Sequence, residues 1–443
     1  MARLTVFGTG YLGATHAAGM AQLGHEVLGV DIDAAKVARL SRGEVPFYEP
    51  GLPELLREHV DSGRLRFTTD AAEAAEFADI HFVGVGTPQR KGEYAADMRF
   101  VDSVFETLGP LLTRPTVIIG KSTVPVGTAA RLAARVRDLA PAGDAVEVAW
   151  NPEFLREGFA VADTLSPDRL VLGVDPQRPG RAEEVAREVY AKILATGTPF
   201  LVTDLATAEL VKVSANAFLA TKISFINAIA EVCEAAGADV VQLADAIGYD
   251  ERIGRKFLGA GLGFGGGCLP KDIRAFMARA GELGVDQALT FLREVDAVNL
   301  RRRQHVVERA TRLTGGNLNG AKIAVLGAAF KPNSDDVRDS PALDVAGRLQ
   351  LGGADVRVYD PQAMANAAAL SPTLTYAPSV DVACADVDLV IVATEWKQFR
   401  EADPVALGEV VAHKRVIDAR NCLAVDEWLA AGWSYMGMGR HAS

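Results

Sequence analysis

Apolar runs alternate with helical stretches through the first third of the chain, and Leu4 to Gly8, Val27 to Asp31, Ile80 to Val85, Val117 to Ile119 and Val146 to Trp150 read as strands. Such alternation predicts a parallel sheet covered by helices on both faces. From about Thr203 the pattern changes. The run TDLATAELVKVSANAFLATKISFINAIAEVCEAAGADV has no proline, and its one glycine is Gly237 near the end, so it predicts a single long helix. Leu210, Val213, Phe218, Ile223, Phe225, Ile226 and Ile229 point many ways around that helix. A helix apolar all round is expected to be buried on most sides, which fits a central connector at a subunit interface.

A second helical stretch ends near Leu313, the segment TGGNLNGA reads as a linker, and a new α/β pattern starts at Lys322. KIAVLGAAF repeats the opening strand, ADVRVYDP repeats the strand ending in Asp31 with Asp360 in its place, and DVDLVIVAT repeats ADIHFVGVGTP. The chain is therefore read as α/β, two related doubly wound parallel-sheet domains at 1–202 and 317–443, joined by a long central helix and a helical middle domain at 203–316. The second copy has Ala328, Ala329 and Phe330 after Gly327 and gains the insertion KPNSDDVRDS, so it is not expected to hold a dinucleotide in the usual way.

A length of 443 residues suits two or three domains with ordinary cores. The N-terminus lacks a basic segment, apolar core and cleavage site, and no uninterrupted apolar run reaches the roughly 18 residues of a membrane span; a cytoplasmic protein is expected. Cys233, Cys268, Cys384 and Cys422 lie far apart, without the paired spacing of a disulfide framework or a zinc site, and the chemistry is expected to be metal-free. A net charge of -11 disfavours nucleic acid and membrane surfaces as partners, so an anionic substrate needs a local cluster of Arg and Lys.

Two segments carry chemistry. In LTVFGTGYLGATHAAG, Gly8, Gly10 and Gly13 occupy a GxGxxG pattern between a strand and a helix, and Asp31 ends the next strand. The first two glycines permit a tight turn and close approach of a pyrophosphate, the third lets helix and strand touch, and Asp31 suits a ribose 2′-hydroxyl. The cofactor is expected to be NAD rather than NADP, although Lys36 is near enough to tolerate extra negative charge. At 263–272 the chain reads GFGGGCLPKD, a cysteine set behind consecutive glycines. Side-chain-free backbone lets a bulky ligand lie beside the Cys268 sulfur, with Lys271 and Asp272 available to set the local charge.

Further segments support a site. KSTVPVGT puts Ser122 and Thr123 at the carboxyl end of a strand, where open parallel sheets bind ligands. NPEFLREG places Glu153 and Glu157 at i and i+4, on one side if that turn is helical. Lys212 and Asn216 share this spacing on the long helix. Arg252, Lys256, Lys331, Arg338 and Arg420 could together neutralise a diphosphate.

From GTGYLG through GTP, KSTVPVGT, NPEFLREG, LVKVSANAFLATKISFIN and GFGGGCLPKD to FKPNSDDVRDSP, the chain resembles the UDP-glucose 6-dehydrogenase family, within the wider UDP-glucose/GDP-mannose dehydrogenase superfamily. The resemblance implies two Rossmann-like lobes, an N-terminal one for NAD and a C-terminal one for the UDP-sugar, with a homodimer built on the long helix. It implies oxidation of UDP-glucose at C6 to UDP-glucuronate with two NAD reduced per sugar. Cys268 would add to the aldehyde and carry a thiohemiacetal and then a thioester. Lys212 and Asn216 would stabilise the oxyanion, Asp272 with Thr123 would hold a water, and Glu153 or Glu157 would assist hydrolysis.

The same resemblance places Gly8, Gly10, Tyr11, Leu12, Gly13, Asp31, Lys36, Gly86, Thr87, Ser122, Thr123, Glu157 and Arg338 at the cofactor. It places Glu153, Phe154, Leu155, Lys212, Asn216, Phe257, Leu258, Gly265, Cys268, Phe330, Lys331 and Arg420 at the substrate, with Arg252 crossing from the neighbouring subunit. Two departures stand out: Gly259, where some members carry lysine, and Gly267, where serine is common. The former removes a phosphate contact, the latter a hydroxyl beside the nucleophile. Rival readings are a GDP-mannose or UDP-N-acetyl-hexosamine dehydrogenase, a one-step hydroxyacid or 6-phosphogluconate-like enzyme with no need of Cys268, and a non-catalytic NAD or nucleotide-sugar sensor.

Overall fold

The computed structural model describes residues 1–178 and 180–440. Two compact units emerge, one of Met1–Ala215 with Arg274–Leu283, the other of Asn216–Ile273 with the chain from Gly284 onward. In the first unit, strands β1 (Arg3–Phe7), β2 (Glu26–Val30), β3 (Leu65–Thr68), β4 (Ile80–Val83), β5 (Thr116–Gly120), β6 (Val146–Trp150), β7 (Leu170–Val174) and β8 (Phe200–Asp204) lie in the order β3-β2-β1-β4-β5-β6-β7-β8. All five strands read from sequence are present. Those five strands pair parallel as expected, and β6 meets β7 antiparallel, Trp150 opposite Gly173.

Alternation along these strands builds a core on each face. Leu4, Val6 and Val27 pack with Ala14, Ala17 and Ala18 of the first helix (Tyr11–Gln22), whereas Phe7, Leu28 and Val30 pack on the other side with Leu132 and Val136. Strands β4 and β5 are buried throughout, as expected when helices cover both faces.

The second unit holds β9 (Lys322–Leu326), β10 (Asp355–Tyr359), β11 (Thr375–Tyr376), β12 (Leu389–Val392), β13 (Arg415–Asp418) and β14 (Ser434–Gly437), all parallel, in the order β11-β10-β9-β12-β13-β14. That order is the one the first six strands follow, so the repeat seen in the sequence is a repeat of fold. Asp360 marks the divergence. Buried after β10, it accepts hydrogen bonds from the amides of Ala328 at 2.8 Å, Ala329 at 3.0 Å, Gln362 and Ala363 at 2.9 Å, and from the Trp396 indole at 3.0 Å.

The long helix spans Leu205–Ala236, beginning two residues later than the pattern suggested because Thr203 and Asp204 finish β8. Its length and apolar content would suffice to cross a membrane. Two of its buried polar side chains find partners within the protein instead. Ser224 donates to the Val295 carbonyl at 2.7 Å and Asn227 accepts from the Gly261 amide at 2.8 Å, contacts a lipid-facing helix cannot make. One stripe of the helix is open in the single chain: Phe218, Phe225 and Val232, spaced seven apart, are 66%, 50% and 60% exposed.

Candidate active site

In the first unit the chain leaves β1 through a glycine turn. Gly8 has φ +86°, and a methyl group built on Gly13 would overlap the Gly8 carbonyl, so both positions exclude side chains. Gly10 and Gly86 would meet nothing within 4 Å, which leaves open space over this turn and over the loop after β4. Asp31 accepts from the Thr9 amide at 2.8 Å, the Thr9 hydroxyl at 3.0 Å, the Asp33 amide at 3.1 Å and the Lys36 ammonium at 2.9 Å. Burial pushes this carboxyl up, but Lys36 and the two amides outweigh it and hold the pKa below the ordinary value. Nearby, Thr87 donates to the Thr123 carbonyl at 2.7 Å and Ser122 to the Val85 carbonyl at 2.6 Å. These residues fit a dinucleotide: the turn is open and glycine-lined, and an ionised carboxylate ends the second strand.

The segment after β6 is irregular from Asn151 to Arg156, so the conditional helical turn for Glu153 and Glu157 is corrected. What organises it is an ion pair. Glu153 lies 3.2 Å from the Lys212 ammonium, both side chains nearly buried, and accepts from the Leu155 amide at 2.6 Å. Phe154 is sandwiched by cations, with Arg169 at 4.0 Å and Lys212 at 5.6 Å from its ring centre. A surface position for Lys212 is thereby excluded.

In the second unit the cysteine loop is packed from beneath. Methyl groups built on Gly265, Gly266 and Gly267 would overlap the Asp339 carbonyl, the Phe330 ring and the Arg338 guanidinium respectively. Gly267 is therefore the space Arg338 occupies, and a serine there would displace it. Cys268 is exposed and stands directly before the helix Leu269–Glu282, its carbonyl accepting from the Asp272 amide at 3.0 Å. Buried Asp272 accepts from the Asn216 side chain at 2.6 Å and pairs with Lys271. Lys212 and Asn216 are one turn apart on the long helix.

The arginine cluster is only partly assembled. Arg420 donates to the carbonyls of Gly263 at 2.8 Å, Ala393 at 2.8 Å and Phe330 at 3.3 Å, so it braces the glycine loop. Lys331 lies 5.4 Å from the Phe330 ring centre. Arg338 pairs with Asp336 at 2.6 Å, and Arg252 with Asp250 at 2.6 Å on an exposed turn. Lys256 is exposed. Phe257 is half-exposed with φ +66°, while Leu258 is buried in an apolar cluster with Ile226 and Ala230.

Sequence reasoning missed several buried charged groups, among them Lys121, Glu209 and Glu49. Lys121, at the end of β5, donates to Asn151 at 2.9 Å and approaches the Tyr190 hydroxyl at 3.4 Å; burial lowers its pKa to about 8. Glu209 on the long helix accepts from the amides of Gly127 and Ala129, each at 2.7 Å, and burial pushes its carboxyl up to about 7. Glu49 accepts from the amides of Gly158 and Ala160. No spacing signals these three, because their partners lie 30 or more positions away in the chain.

Comparison with known proteins matches three successive stretches to one set of family models: the NAD binding domain of the UDP-glucose/GDP-mannose dehydrogenase family at residues 2–194, its central domain at 206–301 and its UDP binding domain at 324–425. A UDP-glucose 6-dehydrogenase of Rhizobium meliloti (strain 1021) is 42% identical over 438 residues, covering 99% of each chain. The UDP-glucose 6-dehydrogenase TuaD of Bacillus subtilis (strain 168) is 41% identical, covering 100% of this chain and 94% of that one. Among solved structures, a UDP-glucose dehydrogenase from the hyperthermophilic archaeon Pyrobaculum islandicum superimposes with a TM-score of 0.90 at 39% identity, covering 100% of this chain and 98% of that one.

Proposed function

The chain belongs to the UDP-glucose/GDP-mannose dehydrogenase family, and from that membership we propose that it oxidises UDP-glucose at C6 to UDP-glucuronate, with NAD as the nicotinamide cofactor. The observation that carries this reading is an exposed Cys268 at a helix N-terminus behind three glycines, with Asp272 on the first turn of that helix hydrogen-bonded to Asn216. A one-step alcohol oxidation has no use for such a thiol, whereas an alcohol taken to a carboxylate needs its aldehyde held between two oxidations.

The residues divide the work. A water held by Asp272 and Thr123 takes the proton of the C6 hydroxyl during the first oxidation. Gly8, Gly10, Tyr11, Leu12, Gly13, Asp31, Lys36, Gly86, Thr87, Ser122, Thr123, Glu157 and Arg338 would hold NAD, which when bound would supply the hydride acceptor, one molecule for each oxidation. The Cys268 thiolate bonds to the aldehyde carbon, and the alkoxide that forms is stabilised by the Lys212 ammonium and the Asn216 amide. Loss of the second hydride from that carbon leaves a thioester. Glu153 or Glu157 takes a proton from water as it attacks, the carbon–sulfur bond breaks, and the Cys268 thiolate returns.

The domains 1–202, 203–316 and 317–443 are read as cofactor, dimerisation and UDP-sugar modules. The seven-residue spacing of exposed Phe218, Phe225 and Val232 supports a homodimer seam along the long helix, with Arg252 reaching the partner subunit's site. Location in the cytoplasm follows from the need to keep Cys268 reduced. The test is stoichiometric: two NADH per UDP-glucose consumed, against one for simple alcohol oxidation and none for a sensor, with GDP-mannose, UDP-N-acetyl sugars and NADP run alongside.

A further inference from the structure

Glu49 lies in the loop before the helix Leu52–Asp61 and is 1% exposed. Among the described residues, no Lys or Arg pairs with it. It is held by donors from two separate segments. The Oε2 atom accepts from the Gly158 amide at 2.6 Å and from the Tyr11 hydroxyl, and Oε1 accepts from the Ala160 amide at 2.7 Å. Tyr11 is the first residue of the helix that opens behind the glycine turn. Gly158, with φ +80°, directly follows Glu157, and Ala160 begins the short helix Ala160–Leu165, whose own cap residue makes no side-chain bond. The Gly158 amide also reaches the Tyr11 oxygen at 3.1 Å.

The same two segments meet again one element deeper. A methyl on Gly19 of the first helix would overlap the Thr164 side chain of the short helix, so the two helices pack without a gap there. Burial, together with the Glu49 hydrogen bond and the charges of Glu49 and Glu157, raises the Tyr11 pKa, which keeps the phenol a donor throughout the working pH range. A charged acceptor binding neutral donors forms bonds about twice as strong as neutral pairs, so this junction is held more tightly than its few contacts suggest.

We infer that Glu49 is a positioning residue, coupling the dinucleotide turn at Tyr11 to the Glu153–Glu157 segment so that cofactor seating and thioester hydrolysis depend on one buried carboxylate. The inference rests on the reaction proposed above for its hydrolytic half. It needs no contact between Glu49 and either ligand. A glutamine in its place keeps the volume but turns its carboxamide NH2 toward a backbone N–H, so at least one of the three donors loses its acceptor.

The experiment is steady-state and rapid-mixing kinetics on purified full-length wild type, Glu49→Gln and Tyr11→Phe, with thermal midpoints recorded for each. For Glu49→Gln the expected result is a KM for NAD raised about tenfold, an unchanged KM for UDP-glucose, and turnover slowed about tenfold behind a preserved burst of NADH, because hydride transfer outruns a loosened hydrolytic segment. Tyr11→Phe, which leaves both amides on Glu49, should raise the KM for NAD about threefold and fold normally. A lowered midpoint with unchanged KM for NAD and no burst makes Glu49 a purely structural residue and overturns the inference, as does an unchanged KM in Tyr11→Phe should Glu49→Gln fail to fold. One NADH per sugar in the wild type overturns the reaction instead, and the KM comparison still decides the coupling.

Discussion

Asn216 donates to Asp272 across 2.6 Å, joining the long helix to the first turn of the cysteine helix between two buried side chains. Asp272 also pairs with the neighbouring Lys271 ammonium. Asp272→Asn should lower kcat at least about a hundredfold, the scale of a lost proton-transfer group, with near-native stability because an amide still fits. A rate within threefold of wild type would remove Asp272 from the proton path.

Cys268→Ser tests the covalent step. Its hydroxyl is a far weaker nucleophile and, as an ester, a poorer leaving group than a thiolate, so steady-state turnover should drop by about three orders of magnitude. Intact-protein mass spectrometry of the quenched variant should show the sugar-acid adduct accumulating. Full turnover by this variant would rule out the sulfur.

Lys121 sets a pH dependence of stability. Burial lowers its pKa from 10.5 to about 8, so the folded chain binds this proton more weakly than the unfolded chain does. Stability from this site is complete above 10.5 and is lost as pH falls through about 8. Lys121→Met leaves the Tyr190–Asn151 hydrogen bond of 2.7 Å in place and should stabilise the protein at neutral pH by at most about 3 kcal/mol, the gain shrinking toward zero near the upper limit. Denaturant unfolding of both proteins across that range checks it; a gain independent of pH would assign the effect to packing.

The exposed stripe on the long helix predicts assembly. Replacing Phe225 with Asp buries a carboxylate in any seam that uses this face, at a cost of several kcal/mol per interface. Light scattering should then report half the wild-type mass at micromolar protein. An unchanged mass moves the seam elsewhere.

Much of the fold could be read from the chain because strand periodicity and the GTGYLG turn are local signals. Strands β3, β7 and β8 escaped: LRFT and FLVTD are short and partly polar, and the β6–β7 reversal leaves no trace in either strand's pattern. At the site, GFGGGCLPKD was legible because a glycine run serves no core. The partners of Glu153 were not, since Lys212 lies 59 positions away and an ion pair has no periodicity. Nor could the sequence explain Gly267, whose reason is a guanidinium contributed by Arg338.

Asp360 has a consequence for anyone wishing to re-engineer the second lobe. Five internal donors already saturate the carboxylate that, in the first lobe, ends the strand beside the glycine turn. Grafting GTGYLG after β9 would restore the turn without liberating that carboxylate, and an apolar residue at Asp360 would strand the buried amides of Ala328, Ala329 and Ala363 and the Trp396 indole. The duplicated half has traded adaptability for rigidity, and a swap of cofactor preference has to be written into the N-terminal lobe alone.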